Sequence, residues 1–436
     1  MMKALILSSS FPYPVDVGRK VIISGILEYL VSALGAENVT FAYIASPSDI
    51  GEDRTAPCRV VVLPLDGLGR RLGGAAWQGG IRRRRALQEM MLYSRHASAR
   101  LRDLMRTVCP DLVVVDTVRM AQYAEACAVG RPQSVLYLDD LYSLRYRRMI
   151  EAMRAYPEAA LDPLGTFGRF LPAFARDLIQ ARLFQKCLLA LESGILERRE
   201  AELPYRFDSV LLLNEAEACT LAARSDAINV KTIKPLLRVH CHRLPRRFEG
   251  APTYLFLGNL RYPANACSLS LFLSQAMPAL LRAEPRAKLL VVGRGADERL
   301  REQCARLVGH VELMDFVEDL APLMATAAAM IVPLIYGSGV KMKVLDGLYY
   351  GLPIVSTPSG IDGVTAVDGS ECFIAKDMPS FVEPLLRLCD IDLNERVSAN
   401  ARGLYAKEFA PEVVLGQYAE IFGVSTRAIE PAFASR

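Results

Sequence analysis

The sequence of 436 residues contains one tryptophan and four histidines. Its ten cysteines are scattered singly without a CxxC pair, and no apolar run approaches the ~20 residues needed to cross a bilayer. Single cysteines are typical of small buried side chains in a reducing compartment. We therefore expect a cytoplasmic protein, soluble or peripheral to a membrane, without a disulfide framework.

The scarcity of histidine also argues against a metal centre. The one close pair, His240 and His242, lies in a basic stretch with no carboxylate nearby to complete a ligand set. A solvated linker is the favoured interpretation of that stretch. We accordingly predict no metal site and no cofactor.

The chain is 52% hydrophobic and 23% charged, which is the composition of a folded protein without long disordered segments. At this length one ordinary core is not enough, so two domains are expected.

The net charge is only +4, but residues 67–106 hold ten arginines against Glu89 and Asp103. This stretch fits contact with the inner face of an anionic membrane and a solvated basic face equally well. Nucleic acid is disfavoured as a partner because no binding module accompanies the charge.

Short apolar runs alternate with helix-length amphipathic stretches, which is the pattern of strands and crossover helices in parallel sheets. The predicted strands are Ala4–Ser8, Val39–Ile44, Cys58–Leu63, Leu112–Val115, Ser134–Leu138, Ser209–Leu213, Thr253–Leu257, Ala287–Val292, Val311–Met314 and Ala329–Pro333. The predicted helices are Gly18–Ala33, Arg84–Val108, Arg119–Ala126, Pro172–Tyr205, Ala266–Arg282, Asp297–Val308, Ala321–Ala327 and Leu393–Phe422. The pattern lapses between Pro235 and Gly250, where we place the linker between two α/β domains.

The most informative segment is Tyr336–Thr357, which combines a glycine-rich turn, a short helix and a buried strand. Gly337 and Gly339 allow backbone N–H groups to approach an anion, and a helix beginning near Val340 adds the positive end of its dipole. Lys341 and Lys343 bring mobile positive charge to its first turn. This segment therefore predicts a phosphate-binding site.

In these residues the sequence resembles the family 4 glycosyltransferases. Gly-Ser-Gly-Val-Lys-Met-Lys-Val-Leu-Asp-Gly-Leu stands where that family has its glycine loop and lysine, and three further blocks agree in order and spacing. The blocks are Phe256–Asn265, Lys288–Gly295 and Val311–Asp319. The resemblance implies two facing Rossmann-like domains of the GT-B type, over residues 1–240 and 251–392, with a helical segment, 393–436, returning to the first domain.

The resemblance also assigns roles at the carboxyl ends of the predicted strands, where ligands of parallel sheets bind. It implies that Lys343 and Arg294 stabilise negative charge on a departing diphosphate. The other residues expected at the donor are Gly18, Gly258, Asn259, Gly293, Phe316, Val317, Gly337, Ser338, Gly339, Val340, Lys341 and Asp346. For Gly293-Arg294-Gly295 alone a plain β–α turn is the simpler interpretation, and Gly18 fits a helix start equally well.

Asp346 lies three residues after Lys343, so its carboxylate can reach either a ribose hydroxyl or that lysine. By resemblance it stands at the family's second glutamate, which binds ribose. The first glutamate of that pair falls at Ser338, which carries no carboxylate, although some members of the family share this form. An ordinary intrahelical ion pair is the alternative for Lys343 and Asp346.

The first half lacks the histidine that many family members place after the strand equivalent to Leu112–Val115. Asp116 follows that strand here, and we expect it to take part in catalysis. The residues expected on the acceptor side are Arg119, Asp139, Asp140 and Arg145. Simple surface or helix-capping duty is an equally good interpretation of each of these charges.

The predicted function is transfer of a sugar from a nucleoside diphosphate sugar to a saccharide or lipid-linked acceptor, in cell-surface or exported polysaccharide or glycoconjugate synthesis. The resemblance implies a retaining outcome without an obligatory metal. The main alternative is a catalytically silent protein of the same fold that binds nucleotide sugars. A nucleotide-sugar epimerase is a second alternative, but it requires a histidine or carboxylate near the sugar, and none stands out.

Overall fold

The computed structural model describes residues 1–15, 18–45, 56–67, 85–157, 182–237 and 244–424. Its contacts divide the chain into two compact units. The first unit takes in Met1–Arg147, Phe167–Arg238 and Pro411–Arg436, and the second takes in Arg148–Thr166 and Val239–Ala410.

The first unit is built on a parallel sheet of seven strands in the order β3-β2-β1-β4-β5-β6-β7. Its strands are β1 (Ala4–Ser8), β2 (Val39–Ala45), β3 (Arg59–Pro64), β4 (Leu112–Asp116), β5 (Gln133–Asp139), β6 (Ser209–Leu212) and β7 (Val230–Thr232). All residues of the central strands β1 and β4 are buried. Such continuous apolar strands are expected in a parallel sheet that is covered on both faces.

Helices connect these strands. Those described in the first unit are Gly18–Leu34, Leu87–Met91, Arg95–Val108, Thr117–Ala121, Ala124–Cys127, Arg182–Glu202 and Glu215–Ser225, with Tyr142–Ala155 beginning there. Pro411–Phe422 completes the unit, because the rings of Tyr418 and Phe422 pack 5.3 and 6.0 Å from the ring of Tyr29. The chain therefore returns to the first unit at the last helix that the structure describes, as predicted.

The second unit contains a parallel sheet of six strands in the order β10-β9-β8-β11-β12-β13. Its strands are β8 (Thr253–Leu257), β9 (Lys288–Val292), β10 (Val311–Met314), β11 (Ala329–Val332), β12 (Ile354–Ser356) and β13 (Phe373–Ile374). Its helices are Pro263–Gln275, Met277–Ala283, Glu298–Ala305, Ala321–Thr326, Met342–Tyr350, Pro358–Ile361, Val382–Arg387 and Ile391–Glu408. The predicted fold class, α/β with two Rossmann-like parallel-sheet domains, is confirmed.

Several predicted helices were wrong in extent. The described part of Arg84–Val108 forms two helices, because the Ser94 hydroxyl accepts a hydrogen bond from the Ala97 N–H (3.1 Å) and starts a new helix. Leu393–Phe422 is likewise broken before Pro411, which has no N–H to continue a helix. The return to the first unit thus begins at Pro411 rather than at residue 393.

The periodicity also missed some elements. Tyr142–Ala155 and Glu215–Ser225 are helices, and β7 and β13 are strands of only three and two residues. Such short strands are hard to recognise because they carry too few residues to establish a pattern.

Within the described ranges no single helix is both long enough and apolar enough to cross a membrane. One bent pair, Pro263–Gln275 with Met277–Ala283, would pass on length and composition.

Candidate functional site

Two glycines bring β8 and β9 unusually close at the carboxyl edge of the second sheet. Gly258 follows β8 and donates its N–H to the Val292 carbonyl (3.0 Å). A Cβ atom on Gly293, the residue after β9, would lie 1.8 Å from the carbonyl oxygen of Gly258. Only glycine fits there, so the predicted Gly293 is required by backbone approach and is more than a plain turn residue.

The side chain of Lys343 lies at this close approach. Its ammonium donates to Asn265 Oδ1 (2.9 Å) and lies 4.8 Å from the centre of the Phe256 ring. A Cβ atom on Gly258 would be 2.9 Å from Lys343 Nζ, so this glycine leaves room for the lysine. Burial, aided by the neighbouring charge of Lys341, lowers the pKa of Lys343 from 10.5 to about 7. The lysine is therefore placed where an incoming anion would favour its charged form.

The glycine loop before this helix has the predicted backbone, with φ of 148° at Gly337 and 68° at Gly339. The helix itself begins at Met342 and not near Val340, because Lys341 has extended backbone angles and occupies the N-cap position. The Lys341 ammonium folds back onto the carbonyls of Ser338 (3.3 Å) and Gly339 (2.5 Å). The expectation of two mobile lysines is therefore wrong for Lys341, which is tied to its own loop.

Asp346 lies on the same helix and is half-buried. No ion pair joins it to Lys343 among the described residues, so the intrahelical pair considered as the alternative does not form. Burial raises the pKa of Asp346 from 3.8 to about 7. A hydroxyl group that donated to this carboxylate would favour its charged form.

Arg294 and Phe316 form a second pair at the same edge of the sheet. The guanidinium lies 4.3 Å from the centre of the Phe316 ring, which is 63% exposed. Val317 is half-buried beside it. An exposed ring covered by an arginine is a stacking surface for a planar group.

The structure also holds Asn259 and Asn265 together in this region. The Asn259 carbonyl accepts from Asn265 Nδ2 (2.9 Å), and its side-chain oxygen accepts from the Arg261 N–H (3.0 Å). Asn259 was predicted at the site, but the role of Asn265 was missed. The only sequence signal for Asn265 was its position in the block Phe256–Asn265, seven residues after a glycine.

In the first unit, Asp116 ends β4 and is fully buried. Its carboxylate accepts from Arg19 Nε (3.3 Å), from a second nitrogen of that guanidinium and from the Ser8 hydroxyl. Burial lowers the pKa of Arg19, but the charge and hydrogen bond of Asp116, together with Tyr142 and Asp139 nearby, more than offset this effect and raise the pKa above its usual value. Gly18 starts the helix Gly18–Leu34. The contact with Asp116 is made by its neighbour Arg19, which was not among the predicted site residues.

The chain is strained where β4 and β5 end. Thr117 and Asp139 have φ values of 70° and 71°, a region that side chains other than glycine rarely adopt. The Thr117 hydroxyl is buried and has no hydrogen-bond partner among the described residues. Strain of this kind, which costs about 1–3 kcal/mol per residue, is concentrated at functional sites.

Two of the predicted acceptor-side residues, Arg119 and Arg145, lie over the ring of Tyr142. The guanidinium groups of Arg145 and Arg119 lie 4.7 and 5.1 Å from the centre of its ring. Arg145 Nε also donates to the buried carboxylate of Asp140 (2.7 Å). These residues are therefore brought together, with Tyr142 as the member that the sequence analysis missed.

Asp139 lies beside this group and accepts from the Tyr137 hydroxyl (2.7 Å). Burial, together with the charge of the adjacent Asp140, raises the pKa of Asp139 above its usual value. Both effects favour the protonated form of this carboxyl.

The basic stretch at residues 67–106 is described only in part, and residues 68–84 lie outside the described ranges. The helix Arg95–Val108 turns its apolar face inward and leaves its arginines exposed. These arginines are Arg95, Arg100, Arg102 and Arg106. In the described part of the chain, no group of three or more His, Cys, Asp or Glu side chains could hold a metal ion.

Comparison with known proteins finds a family match within the second unit. Residues 251–390 match the family described as glycosyl transferases group 1. This match confirms the resemblance seen in the motifs of these residues. The matched residues include Gly258, Gly293 and Lys343.

Two relatives match parts of the chain. A phosphatidyl-myo-inositol mannosyltransferase of Mycobacterium leprae is 30% identical over 178 residues, which is 39% of this chain and 46% of the relative. A 44.6 kDa protein of the cps region of Klebsiella pneumoniae is 29% identical over 138 residues, which is 30% of this chain and 36% of that protein. The matches therefore span less than half the length of either relative.

Among solved structures, HepE of Anabaena in complex with UDP and glucose resembles this chain with a TM-score of 0.61. The likeness covers 97% of this chain and 100% of HepE at 14% identity. At that identity the likeness supports the fold alone.

Proposed function

We propose that this protein is a glycosyltransferase that moves a sugar from a nucleoside diphosphate sugar to a saccharide or lipid-linked acceptor. The observation that carries the proposal is the position of Lys343, which is held against Gly258 and follows the loop Gly337–Gly339 in the chain. A cation partly removed from water, next to a glycine loop at a helix start, is suited to a diphosphate. The UDP and glucose in HepE and the family of residues 251–390 agree with this choice.

The proposed mechanism depends on the charge that develops on the leaving group. As the bond between the sugar and the diphosphate breaks, negative charge grows on the departing phosphate. Backbone N–H groups of the loop and the ammonium of Lys343 stabilise that charge in place, so they contribute more to the transition state than to the bound donor. Arg294 adds a cation at the same edge and, through Phe316, a stacking surface for the base.

We further propose that the acceptor side is formed by Asp116 and the group around Tyr142. Asp116 orients Arg19 at the carboxyl end of β4, and burial of Asp139 favours its protonated form. The departing phosphate can itself accept the proton of the acceptor hydroxyl, so the proposal includes no protein nucleophile and predicts a retaining outcome. It includes no metal or cofactor.

The relatives suggest where such an enzyme would act. One is a mannosyltransferase for phosphatidyl-myo-inositol and another comes from a cps region, so we propose a role in polysaccharide or glycoconjugate synthesis at the cytoplasmic side of the membrane. The exposed arginines of the helix Arg95–Val108 provide the contact with anionic lipid. Cosedimentation with phosphatidylglycerol vesicles should be lost when Arg95, Arg100, Arg102 and Arg106 are changed to glutamine. Equal binding of this variant and the wild type would contradict the contact.

The first test of the main proposal is a thermal-shift screen of UDP-, GDP-, dTDP- and ADP-sugars. A ligand at 100 times its Kd stabilises the native state by about 2.7 kcal/mol, so a true donor should raise Tm. The binding donor is then assayed for hydrolysis and for transfer to lipid extracts and oligosaccharides.

Lys343→Ala should lower kcat by orders of magnitude without unfolding the protein, because it removes a charge that stabilises the leaving group. Lys288→Ala, at an exposed position of β9, is the matched control. Unchanged turnover in Lys343→Ala would refute the mechanism. Donor binding without hydrolysis or transfer would favour the catalytically silent alternative, which the absence of a carboxylate at Ser338 also suggests.

A further inference from the structure

The ammonium of Lys343 is held by groups that carry no charge. Its hydrogen-bond acceptor is the amide oxygen of Asn265, and the nearest ring is that of Phe256. No carboxylate forms an ion pair with Lys343 in the described part of the chain. The ammonium is therefore held in place without an opposing charge beside it.

The amide of Asn265 is fixed at both ends. Its nitrogen donates to the Asn259 carbonyl (2.9 Å), so its oxygen must face Lys343 Nζ (2.9 Å). Its backbone is anchored as well, because the Asn265 N–H donates to the Tyr262 carbonyl (3.0 Å) in the first turn of Pro263–Gln275. A Cβ on Gly258 would lie 2.9 Å from Asn265 Cγ, so the amide packs closely against the loop after β8.

An aspartate at this position would have nearly the same shape as asparagine but the opposite effect on the charge of Lys343. A carboxylate would pair with the ammonium, cancel its charge and repel a diphosphate. A leucine would have a similar size but could accept no hydrogen bond. The amide alone fixes the lysine and leaves its charge available.

We propose that Asn265 is a positioning residue that aims the Lys343 ammonium at the diphosphate while leaving its positive charge uncancelled. This inference rests on the proposed function, because it assumes that the anion bound beside Lys343 is the donor diphosphate. It assigns Asn265 a role through Lys343 and no contact with the reacting atoms.

A consequence is that nucleotide binding takes up a proton. The titratable groups near Lys343 are Lys341 and Asp346. The charge of Lys341 disfavours the protonated form of Lys343, and Asp346 lies on the same helix as Lys343. Asn265 and Phe256, which come from the elements packed against Lys343, do not titrate. With a pKa of about 7, a large share of Lys343 is neutral at pH 7.5 in the free protein. A bound diphosphate would favour the ammonium, so affinity should fall as pH rises from 7 to 9.

The first experiment needs no nucleotide. Competitive acetylation with mass spectrometry, performed across pH 6–11, gives the pKa of the Lys343 amine in the wild type and in Asn265→Asp and Asn265→Leu. The carboxylate of Asn265→Asp should raise that pKa by about 1–3 pH units, and the loss of the acceptor in Asn265→Leu should lower it. Asn400→Asp, at an exposed position of the helix Ile391–Glu408, adds the same charge elsewhere in the unit and should leave the Lys343 pKa unchanged.

The second experiment measures binding of UDP, GDP, dTDP and ADP by calorimetry at pH 7 and pH 9. Asn265→Asp should weaken binding of the nucleotide that the wild type binds by about 10- to 100-fold at pH 7, and should reduce the loss of affinity between pH 7 and 9. Asn400→Asp should behave like the wild type.

The outcomes distinguish the positioning role of Asn265 from the proposed function on which it rests. An unchanged Lys343 pKa in both Asn265 variants, or wild-type nucleotide affinity in Asn265→Asp, would overturn the positioning role. If the pKa shifts as expected but the wild type binds none of the four nucleotides, the proposed function fails at this site, whereas the contact by which Asn265 positions Lys343 stands.

Discussion

Replacing Lys343 with methionine should stabilise the protein, and the gain should depend on pH. The unfolded chain keeps its proton on this lysine up to about pH 10.5, whereas burial in the folded state lowers the pKa to about 7. Between these values the unfolded state binds more protons, so wild-type stability rises with pH. Below pH 7 both states are charged, and folding bears the full cost of placing the cation away from water.

The size of this cost can be bounded. The gap between 10.5 and about 7, at about 1.4 kcal/mol per pH unit, sets a ceiling of about 5 kcal/mol. Because the Lys343 side chain is only half-buried, solvent screens it, and we expect about 1–2 kcal/mol in practice. For a unit of this size that corresponds to a rise in Tm of about 2–8 °C.

Calorimetric scans of Lys343→Met and the wild type at pH 6 and pH 9 test this reasoning. Tm of the variant should exceed that of the wild type at pH 6, and the difference should shrink to less than half at pH 9. Asp346 titrates in both proteins, so its contribution cancels in the comparison. Lys288→Met, at an exposed position, should show no pH-dependent gain. A difference that is the same at both pH values, or a variant less stable than the wild type at pH 6, would refute the argument.

Two further predictions concern the backbone and the first unit. Gly293→Ala should destabilise the protein and abolish nucleotide binding, since its Cβ would lie 1.8 Å from the Gly258 carbonyl oxygen. Gly403→Ala, by contrast, has open space in a helix and should raise stability by about 1 kcal/mol. Tm of the two variants tests both expectations. Asp116→Asn should cost about 2–4 kcal/mol in urea unfolding because it leaves the Arg19 charge without its partner, and adding Arg19→Met should recover part of that loss. A double variant no more stable than the single one would contradict this account of the pair.

The sequence allowed the positions of the site to be predicted better than its contacts. Apolar runs that end in Gly258, Gly293 or Asp116 predicted correctly that these residues lie at the carboxyl edges of parallel sheets. That inference needs only the local pattern and the geometry of the fold class, because parallel strands all end at the same edge. The glycine loop was predicted for the same reason, since its turn and helix are adjacent in sequence.

The partners of the charged groups could not be predicted in this way. Sequence spacing left an ion pair between Lys343 and Asp346 open as an alternative, but the structure pairs Lys343 with Asn265, 78 residues away. Arg19 and Asp116 are 97 residues apart and meet only because β1 and β4 are neighbours in the sheet. Such contacts depend on strand order, which hydrophobic periodicity does not contain.

The buried cations of the two units have different partners, and this difference bears on where the proposed donor would bind. In the first unit the guanidinium groups of Arg19 and Arg145 are each paired with a buried carboxylate, Asp116 and Asp140. A diphosphate approaching them would have to compete with those partners. In the second unit Lys343 is held by a neutral amide, and its charge is partly lost to burial in the free protein. An anion that restores this charge gains the interaction without displacing another anion, so the second unit is the better site for the diphosphate, and the paired charges of the first unit are better suited to orienting neutral hydroxyl groups.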